Sequence, residues 1–380
     1  MLAGPVSRTF ALMTLRRGVC PAVNHRRSSS SFTPLNFDKL SEHRSLVIEE
    51  FGEPIDKVLL KTRNPEDVLP NELGPKEILV KHLAACINPA DINIVQGVYG
   101  SKPKLPAILG NEGITRVEQI GAEVDHLKPG DLAIGVSVFG YWQSYSVQDG
   151  QTFYKVDKDI DLKAAVQLKV NPCTAYRMLK DFYPLQPGDT IIQNGANSAV
   201  GVYVIQLAKL WGFRTLNVIR DRPGIDDVIQ ELKDHGADEV LTESDIGNIE
   251  KMSPILKNYG KPKLFLNCVG GKNAINCQRL LDQGGYSVTY GAMSKQPFSL
   301  AATSLIFKDH KYVGFWVSRW YQQRELDRKD EIVSMLSEIG NMFKRKILKP
   351  KSTSFLSFED RNVAFGPSSN NTKYVFSINK

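Results

Sequence analysis

The sequence predicts an α/β protein in which a β-rich part precedes a doubly wound parallel sheet. Residues 44–165 contain short β-branched segments separated by Gly, Pro and Asp turns. From residue 171 onward, predicted strands alternate with amphipathic helices, which is typical of parallel strands joined by crossover helices. The chain has 380 residues, of which 42% are hydrophobic and 23% charged, so it is long enough for two such globular parts.

Five strands are predicted in the β-rich part. Turn sequences such as Gly52-Glu53-Pro54 and Lys128-Pro129-Gly130-Asp131 separate them, because these residues favour tight reversals. The predicted strands span residues 44–51, 77–86, 113–120, 131–138 and 143–147.

Six strands and three main helices are predicted in the α/β part. The strands span residues 189–194, 214–220, 239–241, 264–269, 286–290 and 311–317, and the helices 171–182, 199–211 and 225–235. Six is the strand number of a complete dinucleotide-binding sheet. A charged helix at 324–343 and a strand at 373–378 follow, and the simplest packing returns this tail to the first domain.

The net charge of +7 comes mainly from the N-terminal segment. Residues 1–37 contain five arginines (8, 16, 17, 26 and 27) and no acidic residue, and without these arginines the net charge falls to +2. An Arg- and Ser-rich segment without acids is typical of a mitochondrial transit peptide, here assigned to residues 1–31. A disordered basic arm is the alternative. No apolar run approaches the ~20 residues of a membrane span.

The turn after the first strand of the α/β part has the composition of a phosphate-binding loop. The residues Gly195-Ala-Asn-Ser-Ala-Val-Gly201 connect a predicted strand to a predicted helix. Small residues allow the backbone to approach a pyrophosphate, and a helix N-terminus offers free N–H groups. The spacing departs from G-x-G-x-x-G, and a purely structural turn is the alternative.

The end of the next strand indicates which dinucleotide binds. Arg220 and Arg222 flank Asp221 at this position. An acidic residue alone would favour NAD, whereas arginine accommodates the 2′-phosphate of NADP. The sequence therefore predicts NADPH, and a solvated charge run is the alternative.

Several stretches together resemble the medium-chain dehydrogenase/reductase superfamily, in its zinc-free, quinone-reductase-like branch. Within that branch the chain is similar to the mitochondrial trans-2-enoyl-thioester (enoyl-acyl-carrier-protein) reductases. Examples are Asn-Pro-Ala-Asp at 88–91, Leu-Gly-Asn-Glu-Gly at 109–113 and Asn-Pro-Cys-Thr at 171–174. The other matching stretches are residues 96–100, 193–201, 218–223, 266–272, 289–297 and 314–318.

The resemblance implies a fold and a setting. It implies a GroES-like β-rich catalytic domain, formed by residues 38–168 with 319–380, and a Rossmann-type NADPH-binding domain at residues 169–318. It further implies a homodimer in the mitochondrial matrix that reduces 2-enoyl thioesters of acyl carrier protein or CoA in mitochondrial fatty-acid synthesis. No nucleic-acid partner is expected.

The resemblance also implies the site residues. Tyr99 is the expected proton donor, and Phe315 to Ser318 are expected to end the last strand of the sheet. The residues expected to bind the cofactor are Asn171, Gly195, Asn197, Ser198, Ala199, Val200, Gly201, Arg220, Asp221, Arg222, Tyr290, Gly291, Ala292, Met293, Phe315, Trp316, Val317, Ser318 and Lys373.

The resemblance includes departures as well as matches. Zinc-using relatives place Cys and His where this chain has Asn88 and Asn111, and amides are poor zinc ligands, so no metal is expected. Residues 358–371 contain Gly366-Pro367 where relatives have an Ala-rich helix, so that helix is expected to be short or broken.

Two alternative functions stay open at the level of the sequence. The first is a quinone or alkenal reductase of the same branch. The second is a catalytically idle protein that binds NADPH or nucleic acid, for which the basic pI of about 9.0 is the best support.

Overall fold

The computed structural model describes residues 32–137, 139–366 and 373–378. The predicted transit peptide, residues 1–31, lies outside the described residues. Two large sheets form the frame of the described part, one with seven strands and one with six. None of the helices described is long and apolar enough to cross a membrane.

The first part of the chain is β-rich, as predicted. Its strands are β1 (Thr33–Pro34), β2 (His43–Ile48), β3 (Leu59–Arg63), β4 (Glu72–Leu73), β5 (Glu77–Cys86), β6 (Ala107–Ile108), β7 (Gly113–Ile120), β8 (Leu132–Gly135), β9 (Tyr145–Asp149) and β10 (Phe153–Val156). Short helices interrupt them: α1 (Pro54–Lys57), α2 (Pro89–Val95), α3 (Leu162–Ala165) and 3-10 turns at Phe37–Lys39, Pro65–Asp67 and Gly150–Thr152. The predicted strand at 131–138 is shorter in the structure, and its residue 138 is not among the described residues.

The second part is a doubly wound parallel sheet. Its strands are β11 (Thr190–Asn194), β12 (Arg214–Ile219), β13 (Glu239–Thr242), β14 (Leu264–Asn267), β15 (Tyr286–Thr289) and β16 (Lys311–Gly314). Its helices are α4 (Asn171–Asp181), α5 (Ala199–Trp211), α6 (Ile225–His235), α7 (Glu243–Ile246), α8 (Ile249–Tyr259), α9 (Gly271–Arg279), α10 (Ala302–Ile306) and α11 (Val317–Asp327). All pairs are parallel in the order β13-β12-β11-β14-β15-β16, which confirms the predicted fold class.

The tail of the chain returns to the first sheet. It consists of α12 (Lys329–Lys344), β17 (Thr353–Leu356), α13 (Arg361–Phe365) and β18 (Lys373–Ser377). β18 runs antiparallel to β5, with Val375 opposite Cys86, and β17 pairs with β18. α13 has only five residues, so this helix is short, as expected.

Two predicted elements were wrong. The last strand of the parallel sheet ends at Gly314, so Phe315 to Ser318 do not belong to it; Val317 begins α11. Gly314 opposite Thr289 is the last residue pair of this strand, and beyond it a helix buries Val317, Trp320 and Tyr321 on one face.

The charged helix predicted at 324–343 is two helices. Arg328, with a non-helical φ of −137° and ψ of 45°, separates α11 from α12. The uniform run of charged residues conceals this break because the side chains near it face solvent.

The main apolar core crosses from one sheet to the other. Ala84 and Ile114 of the first sheet belong to the same buried cluster as Tyr203 of α5 and Ile332 of α12. This shared core fixes the two sheets relative to one another.

Candidate active site

The turn after β11 is shaped for close approach of a ligand to the backbone. Ser198 caps α5, its Oγ accepting from the Gly201 N–H at 3.1 Å. A Cβ at Gly201 would lie 2.4 Å from the Ala196 carbonyl oxygen, and one at Gly195, where φ is +58°, would lie 2.5 Å from Cys268 Sγ. Only glycine fits these two positions, so the turn stays tight.

This turn leaves donors available for an anion. Among the described backbone hydrogen bonds, none uses the N–H groups of Ala199 and Val200 at the start of α5. Free N–H groups and the positive end of the helix dipole suit a pyrophosphate. The residues present therefore fit a dinucleotide.

The predicted 2′-phosphate residues follow β12 at the surface. Arg220, Asp221 and Arg222 are exposed. Asp221 accepts from the Ser244 hydroxyl at 2.8 Å and the Ser244 N–H at 3.1 Å, and this hydrogen bonding lowers the pKa of Asp221. Within the described part of the chain neither arginine has an ion-pair partner, so both guanidinium groups can face a phosphate.

A second group of predicted residues lies beside the turn at residues 195–201, here named the phosphate turn. Tyr290 to Met293 follow β15, and the Met293 N–H donates to the Cys268 carbonyl at 2.9 Å. A Cβ at Gly291 would lie 3.1 Å from the same carbonyl oxygen. Since Cys268 also touches Gly195, one residue after β14 joins the two predicted stretches.

The third group of predicted residues, Phe315 to Ser318, follows the last strand of the parallel sheet and contacts Tyr99. The ring of Tyr99 meets that of Trp316 edge-on, with centroids 6.3 Å apart, and Phe315 packs edge-on against Phe182 at 5.8 Å. Val317 and Ser318 line a small cavity with Asn111 and other residues of the first part. The stretch 315–318 thus follows the parallel sheet and contacts residues of the first part of the chain.

Tyr99 is positioned by α2 and the turn after it. Gly97 has a φ of +70°, and the Tyr99 N–H donates to the Asn93 carbonyl at 3.1 Å. The side chain is half-buried, and burial raises the pKa of Tyr99, which keeps its hydroxyl protonated at neutral pH. Tyr99 can therefore donate a hydrogen bond or a proton to a ligand bound beside it.

A buried polar network lies at the start of α2. Lys373 Nζ donates to Asn88 Oδ1 at 2.6 Å, and Asn88 Nδ2 donates to Glu112 Oε2 at 2.9 Å. The Asn171 amide lies 3.4 Å from both Asn88 Oδ1 and Glu112 Oε2, while Glu112 Oε1 accepts from the Val170 N–H at 2.7 Å. Two predicted residues, Asn171 and Lys373, are thereby brought together.

Sequence reasoning missed Asp91, Glu112 and Lys169 in this region. Asp91 accepts from the N–H groups of Asn88 and Asn111 at 2.8 and 3.0 Å, and burial raises the pKa of Asp91 to about 7. Lys169 Nζ donates to the Asn111 carbonyl at 2.7 Å, and burial lowers the pKa of Lys169 to about 8. Asp91 and Glu112 are acidic residues within the matching stretches 88–91 and 109–113, and this was the sequence signal that could have identified these two as site residues.

The residues at the zinc positions of the superfamily do not fit zinc. The amide oxygen of Asn88 already accepts from Lys373, and Asn111 donates to Asp91. Two lysines bind at these residues, Lys169 at the Asn111 carbonyl and Lys373 at the Asn88 side chain, and no group of three metal-type side chains occurs among the described residues.

The fold and this site define a medium-chain dehydrogenase/reductase. Residues 74–158 match the family model of the alcohol dehydrogenase GroES-like domain, and residues 199–331 match that of the zinc-binding dehydrogenases. The mitochondrial 2-enoyl thioester reductase Etr1p/Etr2p heterodimer from Candida tropicalis is 31% identical, with a TM-score of 0.78, over 89% of this chain and 100% of that chain.

Comparison with named relatives identifies the family within this superfamily. The mitochondrial enoyl-acyl-carrier-protein reductase of Xenopus tropicalis is 46% identical over 82% of this chain and 87% of its own length. The Homo sapiens protein of the same name is 43% identical over 85% of each chain. The chain belongs to the mitochondrial enoyl-acyl-carrier-protein reductase family.

Proposed function

We propose that this protein reduces trans-2-enoyl thioesters with NADPH in mitochondrial fatty-acid synthesis. The observation that carries the proposal is the contact of Tyr99 with Trp316, which follows the last strand of the sheet that also carries the phosphate turn. The relatives are named as mitochondrial enoyl-acyl-carrier-protein reductases, and a 31% identical structure is described as an Etr1p complex with NADP and crotonyl-CoA.

The residues proposed to hold NADPH fall into three groups. Gly195 and Asn197 to Gly201 take the pyrophosphate, and Arg220 to Arg222 take the adenosine end with its 2′-phosphate. Asn171, Tyr290 to Met293, Phe315 to Ser318 and Lys373 surround the nicotinamide end. The bound cofactor supplies the hydride of the reaction.

Tyr99 is the proposed acid. Hydride addition to C3 of the enoyl group places negative charge on the thioester oxygen, so a donor near that oxygen stabilises the transition state. Tyr99 then donates its hydroxyl proton to C2, which completes the saturated product. Burial favours the neutral phenol, and Trp316 restricts where its ring can point.

Asn171 is proposed to orient the nicotinamide end. Its amide is held between Asn88 and Glu112, and Asn88 is itself fixed by Lys373. A side chain held from several sides loses little freedom when a ligand binds, so it acts as a fixed hydrogen-bonding partner.

The finer assignments are also proposals. The acyl carrier is acyl carrier protein or CoA, the location is the mitochondrial matrix and the assembly is a homodimer. The catalytic domain is residues 38–168 with 319–380 and the cofactor domain 169–318, for which the pairing of β18 with β5 is the support.

The test is a substrate matrix measured on the purified protein. Crotonyl-CoA and a quinone are each assayed with NADPH and with NADH. We expect rapid NADPH oxidation with crotonyl-CoA, a slower rate with NADH, and little reduction of the quinone. A faster rate with the quinone would favour the quinone or alkenal reductase, and no turnover of any enoyl thioester would contradict the proposal.

A further inference from the structure

Lys351 is a buried lysine that neither the fold nor the proposed chemistry explains. Its side chain is only 5% exposed, and its Nζ donates to the Asn197 carbonyl, inside the phosphate turn, at 2.6 Å. A buried lysine is costly unless an opposite charge compensates it, and the nearest carboxylate, that of Glu231 on α6, is 3.7 Å away.

The backbone around Lys351 holds this side chain in place. The Lys349 N–H donates to Gln206 Oε1 of α5 at 2.7 Å, and Gln206 Nε2 donates back to the Lys349 carbonyl at 3.0 Å. On the other side, the Lys373 N–H at the start of β18 donates to the Ser352 carbonyl at 3.0 Å. The segment is thus fixed to the helix that begins at the phosphate turn and to the first sheet.

The charges around Lys351 leave an excess of positive charge. Burial lowers the pKa of Lys351 to about 8; Glu231 opposes this, while Arg222 and Lys373 lower the pKa further. His235 on α6 also lies nearby, and burial lowers its pKa. An anion bound at the turn would balance this charge.

We propose that Lys351 is a positioning residue of the dinucleotide site, which holds the Asn197 carbonyl and supplies positive charge behind the pyrophosphate. The proposal rests on the proposed function, because it takes NADPH as the anion. It makes the tail of the chain part of the cofactor site, although the tail belongs to the other sheet. Arg222 reads the 2′-phosphate, whereas Lys351 supports the part that NADPH and NADH share.

The first test compares cofactor affinities of variants of the full chain. Lys351→Met keeps the aliphatic stem and removes the charge, and Lys349→Met is the matched control because Lys349 is exposed. We expect Lys351→Met to raise the Kd of NADPH and of NADH alike, by about tenfold, and Lys349→Met to change neither. In steady-state assays, Lys351→Met should raise the KM of NADPH by a larger factor than it lowers kcat.

The second test is the pH dependence of NADPH binding between pH 7 and 9.5. We expect the wild-type affinity to fall as pH rises through about 8, because Lys351 then loses its proton. Lys351→Arg should bind NADPH as tightly as the wild type at pH 7 and show no such step, since arginine stays charged. Burial lowers the pKa of His235 from its usual value, so this side chain is neutral over the range tested.

Three outcomes would overturn the proposal. They are an unchanged Kd in Lys351→Met, an equal loss in Lys349→Met, and a step near pH 8 that persists in Lys351→Arg and so does not come from Lys351. If Lys351→Met loses its native circular dichroism spectrum, the Lys351→Arg profile decides. Because the readout is cofactor binding, a failure to reduce enoyl thioesters would contradict the proposed function and leave this result intact.

Discussion

At the scale of single residues, Tyr99 carries the proposed chemistry most directly. We expect Tyr99→Phe to lower kcat by about 10²- to 10⁴-fold, because a positioned acid contributes that much. The Kd of NADPH should change by less than about twofold, since the ring contact with Trp316 remains. Steady-state kinetics with crotonyl-CoA and a fluorescence titration with NADPH measure the two quantities.

A second tyrosine provides the control for this variant. Tyr183 packs edge-on against Tyr286, with ring centroids 5.8 Å apart, near the end of α4. Tyr183→Phe should retain wild-type turnover. Equal turnover in Tyr99→Phe and the wild type would refute the donor role.

Arg220 and Arg222 determine cofactor choice in this account. Replacing either by Met should raise the Kd of NADPH about tenfold, because a charge-assisted hydrogen bond to phosphate is lost, and should leave the Kd of NADH unchanged. Calorimetry with both cofactors checks this, and Arg279→Met, at the exposed end of α9, is the control. An equal loss of NADH affinity would show that these arginines act through their positive charge alone and do not bind the 2′-phosphate.

At the scale of elements, α2 determines where Tyr99 lies. Asp91, fully buried, caps this seven-residue helix through the Asn88 N–H and also binds Asn111 through its N–H and Nδ2. Asp91→Ala leaves these donors without an acceptor, so we expect the free energy of unfolding to fall by about 3 kcal/mol. Urea denaturation followed by circular dichroism measures the change.

The helix α7 offers a matched comparison. Asp245 caps it through the Thr242 N–H at 2.9 Å but is more accessible to water. Asp245→Ala should lower the free energy of unfolding by about 1 kcal/mol. An equal effect of the two substitutions would show that the contacts of Asp91 with Asn111 contribute nothing.

The elements differ in how well the sequence predicts them. The helices at 199–211 and 225–235 were predicted with the bounds that the structure has, because apolar residues recur at helical spacing over three turns. The helix α2 was missed, since seven residues show no clear period, although Asn88, Pro89 and Asp91 form a recognisable helix start. Phe315 and Trp316 favour a strand locally but have no strand partner beyond Gly314.

At the scale of the whole molecule, the site depends on contacts between distant parts of the chain. Tyr99 and Trp316 meet because the first sheet and the parallel sheet share one core, whereas Asn88 and Lys373 meet because β18 pairs with β5. Motifs provided the candidate residues of the site, but only tertiary packing shows that Glu112 joins Asn88 to Asn171 and that Lys351 reaches the phosphate turn. Local patterns do not contain this information.

The central claim is that this site transfers hydride from NADPH to C3 of a 2-enoyl thioester. Crotonyl-CoA is reduced with NADPH deuterated at the transferred position of C4, and the product is analysed by NMR. The account predicts butyryl-CoA with deuterium at C3 and a solvent-derived hydrogen at C2. Deuterium at C2, or no reduction of crotonyl-CoA by a protein that binds NADPH, would contradict it.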